Sequence, residues 1–385
     1  MNVSLSPFDD IAPLTEQDVP QAISQLLSEP KFIRILAFLF PGEQLTLMTS
    51  LFRSIKNVSE FQSKIAYPFL TDLELKTTHG IRLEGSEHLS KTKNYLFLSN
   101  HRDITLDASF LCIKLLDAGF DTVEVAVGDN LLVEKWIETF VRLNKSFIVK
   151  RGLRGKEQLE ASRHLSAYIH YAILQKHQSV WMAQREGRAK DSNDRTQESL
   201  LKMIAMTGDK TPIENLASIP ICPLTISYEY DPCDFLKAKE MQQRRDDPCF
   251  SKSASDDLIS MKTGIHGFKG NIVYVIGNEL KIDLAALQHL PRATQFETLA
   301  KQIDHIIHSN YHIYPVNHIA FDILFPDQAE GGYSETEKQQ FQEYVHHQIE
   351  KIDLPGKDVS FLKQKMLEIY ANPLVNYREA THDEK

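Results

Sequence analysis

Cysteine is scarce in this chain: 385 residues contain four, Cys112, Cys222, Cys233 and Cys249. None belongs to a CxxC pair, and their spacing fits neither a zinc ligand set nor a disulfide framework, so a reducing, cytoplasmic compartment is expected. Long apolar runs are missing as well. The longest informative uncharged stretch, 215–228, falls short of the roughly 18 to 20 residues that cross a bilayer and is interrupted by Pro220 and Pro223, so no transmembrane helix is expected. The opening MNVSLSPFDD has no basic segment leading into an apolar one, and no export signal is read there. An excess of positive charge is also absent: 43 Lys and Arg face 52 Asp and Glu, for a net charge of -9. That balance argues against a general nucleic-acid binder. Several catalytic signatures are lacking too. There is no GxSxG elbow and no GxxxxGK phosphate loop, which sets aside serine hydrolases of that type and P-loop enzymes. His101-Arg102-Asp103 spells HRD, but position 108 is Ala where a kinase needs Asn, and neither GxGxxG nor DFG occurs.

What is present suits a folded protein with a substantial core, since 42% of residues are hydrophobic and 20 are Phe and 13 Tyr. From about Pro20 to Thr78 the periodicity is helical. Phe32 to Phe40 is apolar on most sides, Pro41-Gly42 interrupts, and Met48, Leu51, Phe52 and Ile55 then recur at helical spacing. Such a helical pair serves either as a hairpin on the main core or as a surface that enters a membrane interface. After Gly80, short β-branched or apolar runs at 95–98, 122–127, 146–149, 179–182, 219–227 and 271–276 alternate with helical windows at 104–118, 130–142, 154–176 and 195–207. This alternation predicts an α/β fold with a mainly parallel central sheet flanked by helices, with helical N- and C-terminal extensions. The division read from these rhythms is 1–77 helical, 78–285 α/β, and 286–385 helical. The spacing of Pro220 and Pro223 predicts that PICPLTISYEY, 220–230, is not an uninterrupted central strand along its whole length.

Four segments could carry chemistry, each at the end of a predicted strand, where ligands gather in an α/β sheet. The first is Asn100-His101-Arg102-Asp103-Ile104-Thr105-Leu106-Asp107. A histidine at a strand-to-helix junction with carboxylates nearby can act as a general base, one nitrogen held by an acid and the other taking a proton. The same letters could equally be a helix cap, with Asp103 accepting backbone N–H groups. The second is a basic block from Thr139 to Lys156 without an acid, in which Lys150 and Arg151 follow the strand SFIV; it suggests a phosphate-bearing ligand or a solvated turn. The third is Gln184-Arg185-Glu186-Gly187-Arg188, where Gly187 permits close backbone approach and an arginine can grip phosphate. The fourth is the Pro-rich strand PICPLTISYEY, ending at Glu229.

In this order the segments resemble the blocks of the glycerolipid acyltransferase family, the PlsC-like acyl-CoA or acyl-ACP glycerol-phosphate acyltransferases, over about 78 to 285. Two departures stand out. Five residues rather than four separate His101 from Asp107, with Leu106 at the family's Asp position, so Asp107 is the preferred carboxylate and Asp103 the alternative. Arg188 follows Gly187 directly, one residue early, and Arg185 stands where a smaller branch of the family has Pro.

The resemblance implies transfer of a fatty acyl group from acyl-CoA or acyl-ACP, a co-substrate, to the hydroxyl of a glycerol-phosphate or lysophospholipid. His101 would be the base, Asp107 or Asp103 its orienting acid, Lys150, Arg151 and Arg188 the phosphate grip, and Glu186 and Gly187 the glycerol end. No metal and no bound cofactor is implied. The implied setting is peripheral, on the cytoplasmic face of a membrane. From other classes, a metal-dependent phosphoesterase would use His101, Asp103 and Asp107 as ligands, and a lipid-binding protein with a dead site would transfer nothing.

Overall fold

The computed structural model describes residues 7–382. Its sheet contains β1 (Gly80–Glu84), β2 (Leu96–Ser99), β3 (Glu124–Gly128), β4 (Ser146–Val149), β5 (Val180–Ala183), β6 (Ile221–Tyr228) and β7 (Asn271–Ile276), in the spatial order β1-β7-β6-β2-β5-β3-β4. The five strands from β6 to β4 are mutually parallel, β7 is antiparallel to β6, and β1 is parallel to β7. The fold is thus α/β with a mostly parallel sheet, and β1 is a strand that the alternation of 80–84 does not announce.

Interior strands of such a sheet are covered on both faces and read as continuous apolar runs. β2 and β6 are buried at every position. Their alternation sorts side chains into two cores. Leu96, Leu98, Val180, Met182 and Ile221 join one, packed against the helices Gly155–Leu174 and Arg292–Ser309. Phe97, Trp181, Cys222, Leu224 and Ile226 join the other, with Phe110 and Leu111 of the helix Leu106–Asp117.

In the Pro-rich segment β6 begins after Pro220 and ends at Tyr228, short of the whole of 220–230, yet it runs unbroken through Pro223 between two neighbours. The reason lies in the ladder. The Pro223 carbonyl faces β7, where it accepts from Gly277 N at 2.9 Å, and the β6–β7 register starts only at Leu224 opposite Ile276. The missing proline N–H falls opposite Gly277, at the end of that pairing, where the Gly277 carbonyl accepts from Cys222 Sγ at 3.2 Å.

Two smaller cores flank the sheet. At the amino-terminal side Phe32, Leu36, Phe52, Ile55 and Phe61 pack together with Trp136 and Phe140. At the other, Tyr314, Ile319, Phe341, Val345, Leu362, Met366 and Tyr370 form a helical cluster that includes Ala238. Leu299, Ile303 and Ile307 belong to the sheet's core, while Ala238, from the helix Asp234–Asp246, belongs to the C-terminal cluster.

Candidate active site

β2, β4, β5 and β6 end on the same edge of the sheet, which brings the loops that start at Asn100, Lys150, Gln184 and Glu229 together. Asn100 is fully buried and continues the ladder with its side chain. Its Nδ2 donates to Ile226 O and its Oδ1 accepts from Ile226 N, both at 2.8 Å. This clamp fixes where β2 stops and where His101 begins.

His101 Nδ1 lies 2.7 Å from Asp107 Oδ2. The buried carboxylate also accepts from Arg102 N at 2.6 Å and Asp103 N at 3.1 Å. Because a carboxylate can only accept here, Nδ1 carries the hydrogen and the Nε2 lone pair is left available. The His101 side chain is 14% exposed while that of Asp107 is fully enclosed. Trp181 of β5 flanks the imidazole edge-on, with ring centroids 5.6 Å apart, and anchors its own indole N–H on Ser99 Oγ at 3.0 Å.

Asp103 has the other task. Its Oδ1 accepts from Thr105 N and Leu106 N, both at 2.8 Å, tying down the start of the helix Leu106–Asp117. The capping and the imidazole-holding functions are therefore divided between two acids. The extra residue in the His-to-Asp spacing is absorbed in the capped turn, which presents Asp107 to the ring. Burial, and then the neighbouring Asp107 charge, hold the Asp103 carboxyl above its ordinary value. Gly264, on the helix Ala254–His266, covers this acid so closely that a Cβ there would overlap Asp103 Oδ2.

The basic block resolves into separate contacts. Lys150 pairs with Asp10 at 2.9 Å. Arg151 pairs with Glu186, rests against Gly128 at the end of β3, and is held through its backbone N–H by Asp129 Oδ1 at 3.0 Å. Glu186 is 70% exposed, and Gly187 follows with φ +70. Arg188, expected to face a ligand beside Arg151, instead lies 7% exposed beneath the rim. Its charge is felt by Asp103 and Asp231, and its Nη1 has no hydrogen-bond partner. Segment 185–188 thus joins the basic loop at one end and the floor under His101 at the other.

That floor contains residues that no motif marks. Asp231, past the end of β6, forms a buried ion pair with Lys237, whose Nζ also donates to Arg102 O at 3.3 Å. Burial pushes the Asp231 carboxyl up, and Lys237, Arg102 and Arg188 more than offset it, leaving it below the usual carboxylate value. The Arg102 side chain pairs with Asp194 and donates to Ser192 Oγ at 2.5 Å. In the sequence, Lys237 looks like one more charge on a polar helix. Its burial follows only from the docking of that helix. Among the described residues no three His, Cys, Asp or Glu side chains converge as metal ligands would.

Residues 80–227 match the model of the family described as Acyltransferase. A search of curated protein sequences returns no match. Among solved structures, the chain is similar to the 1-acyl-sn-glycerophosphate (LPA) acyltransferase PlsC from Thermotoga maritima, at 13% identity and a TM-score of 0.37, over 74% of this chain and 93% of that one.

Proposed function

We propose, from the match of residues 80–227 to the acyltransferase family model, that the protein moves a fatty acyl group from an acyl-CoA or acyl-ACP thioester to the hydroxyl of a glycerol-phosphate or lysophospholipid. The observation that carries this reading is the 2.7 Å contact between His101 Nδ1 and Asp107 Oδ2, which leaves the second ring nitrogen free. His101 Nε2 takes the proton of the acceptor hydroxyl as the oxygen attacks the thioester carbonyl. The imidazolium so formed is stabilised by Asp107. Collapse of the tetrahedral adduct forms the ester, breaks the C–S bond and expels a thiolate, which recovers the proton from His101.

Arg151 and Lys150 are assigned to the acceptor's phosphate. Their present partners, Glu186 and Asp10, are exposed carboxylates, and exchanging such a pair for a phosphate costs little. Glu186 and Gly187 would border the glycerol end. Arg188 is given a supporting role beneath them, adding positive potential from a fixed position. No resident metal or cofactor enters this scheme.

A lyso-lipid acceptor places the reaction at a membrane surface. Among the described residues no helix is long and apolar enough to cross a membrane. The amino-terminal pair offers a shallower contact: on the helices Pro30–Leu39 and Glu43–Ser54, Phe38 is 74% and Leu47 70% exposed. We assign this contact to the cytoplasmic face. Phe52, also in that pair, is buried against Phe32 and Phe61 and belongs to the core.

The test is transfer of labelled acyl groups from acyl-CoA and from acyl-ACP to glycerol 3-phosphate and a set of lysophospholipids, with wild type and His101→Ala. Loss of a positioned base should lower the rate by roughly 10²- to 10⁴-fold with the fold intact. Ordinary activity in His101→Ala would remove the assignment. Co-sedimentation with anionic liposomes should weaken in Phe38→Glu/Leu47→Glu; equal binding by that variant would refute the membrane contact.

A further inference from the structure

Arg102 sits between His101 and the capped turn and is held from three sides. Its N–H binds Asp107 Oδ2 at 2.6 Å. Its carbonyl accepts from Lys237 Nζ at 3.3 Å. Its guanidinium is fixed by Ser192 and Asp194. Since the N–H groups of residues 102 and 103 are two of the three donors that orient Asp107, displacement of this stretch of backbone would displace the acid that holds the imidazole.

The groups that hold Arg102 are themselves secured by the C-terminal helices, outside the segment that matches the family. Tyr370, on the helix Val359–His382, accepts from Asp231 N at 3.2 Å and donates to Asp234 Oδ2 at 2.7 Å. Asp234 also accepts from Tyr344 Oη and Gln348 Nε2, each at 2.7 Å, and from Phe235 N at 2.6 Å. The same long helix reaches the loop after β5, which also carries Ser192 and Asp194, where Asn372 Nδ2 donates to Asp191 O at 2.7 Å and Arg195 Nη2 donates to Asn376 Oδ1 at 3.0 Å. Arg102, Asp231 and Tyr370 line a cavity of about 20 Å³ where these parts meet, room for one water.

We propose that Lys237, locked by Asp231, which Tyr370 in turn holds through its backbone N–H, is a positioning residue for the His101–Asp107 pair, so that the C-terminal helices complete the catalytic site. It touches no reacting atom and acts through the Arg102 carbonyl. Lys237 is 2% exposed, and a charge so buried is retained at a cost unless it has a partner and a task. The inference rests on the acyl-transfer reading and adds to it a requirement for residues beyond 227.

The test uses the full chain with Lys237→Met/Asp231→Asn, which removes both buried charges at once, and Tyr370→Phe, which removes one oxygen. The readouts are kcat, the KM of each substrate, the pH profile of kcat, the melting temperature, and the downfield proton resonance of the His101 Nδ1–H that binds Asp107. The double variant is expected to lower kcat by roughly 10- to 100-fold, the scale of a small misplacement of reacting groups, with both KM values little changed, the pH profile shifted and the downfield resonance weakened or lost. Tyr370→Phe should do the same more mildly, and it decides the matter if the double variant does not fold. A lowered melting temperature with wild-type kcat, pH profile and resonance would reduce Lys237 to a structural ion pair and overturn the proposal. His101→Ala separates the two failures. If it stays active, the acyl-transfer reading has failed. If it is inactive while the Lys237 and Tyr370 variants behave as wild type, only the positioning inference has.

Discussion

Two charged clusters share the edge of the sheet where β2, β4, β5 and β6 end and are built on opposite principles. Under His101 the acids are enclosed and every orientation is set by neighbours: Asp107 by three donors, Asp103 by a helix start, Asp231 by Lys237. On the rim, Lys150–Asp10 and Arg151–Glu186 are exposed pairs that bridge separate loops. Enclosed groups cannot exchange partners without leaving a buried charge uncompensated, whereas exposed ones can do so at little cost. The first arrangement suits a base that must not move, and the second suits a ligand that must enter and leave.

Mutations should break this contrast unequally. The largest effect is expected at Asp107. Asp107→Ala frees the imidazole to take the other tautomer and should lower kcat by roughly 10²- to 10⁴-fold, whereas Asp103→Ala should mainly cost stability, about 1 kcal/mol for a lost cap. Steady-state kinetics and urea melts on the two variants compare them; a normal kcat in Asp107→Ala would exchange the roles.

Next in size is Gly264→Ala. The added methyl meets Asp103 Oδ2, and overpacking of this kind costs typically 1 to 3 kcal/mol. Denaturant midpoints should show it, together with reduced turnover as the turn of Asp103 shifts. Unchanged stability would mean that the helix Ala254–His266 does not press on this acid.

A third prediction concerns Asp234. Burial, and then Asp231, push its carboxyl up to about 7 against the pull of its hydrogen-bond donors. A carboxyl whose folded value is raised binds more protons folded than unfolded, so its contribution to stability declines as pH rises from about 4 to about 7, by at most about 1.4 kcal/mol per pH unit. Asp234→Asn should flatten that decline in urea melts taken between pH 5 and 8. Parallel curves for the two proteins would refute it.

The smallest structural effect belongs to the rim. Arg151→Ala should change stability by under about 1 kcal/mol yet raise the acceptor's KM roughly tenfold or more, because hydrogen bonds to charged groups contribute about 1.5 to 3 kcal/mol. An increase confined to the donor's KM would move Arg151 to the thioester's headgroup.

Much of the fold was legible in the chain because strand and helix periods are local properties. The strands 146–149 and 271–276 coincide with β4 and β7, and the other predicted runs are displaced by one or two residues. β1 was not legible: GIRLE is short, carries Arg82 and Glu84, and becomes a strand only because the edge of β7 is there to pair with it. That β6 passes through Pro223 was not legible for a related reason, since a proline's cost depends on which neighbour needs its N–H, and that is known only once β6 has partners on both sides.

The candidate site divides along the same line. The sequence by itself determined that His101 would stand at a strand-to-helix junction with Asp103 and Asp107 within reach, because those positions lie within two turns of one another along the chain. It equally determined the glycine at 187 and the cations around 150. Tertiary structure decided which acid meets the imidazole, which of Phe38 and Phe52 sees solvent, that Arg188 lies under the rim, and that Lys237 reaches Arg102 O across 135 positions of the chain. Each of those outcomes depends on burial and on hydrogen bonds between distant segments, and neither is a property of any local stretch of residues.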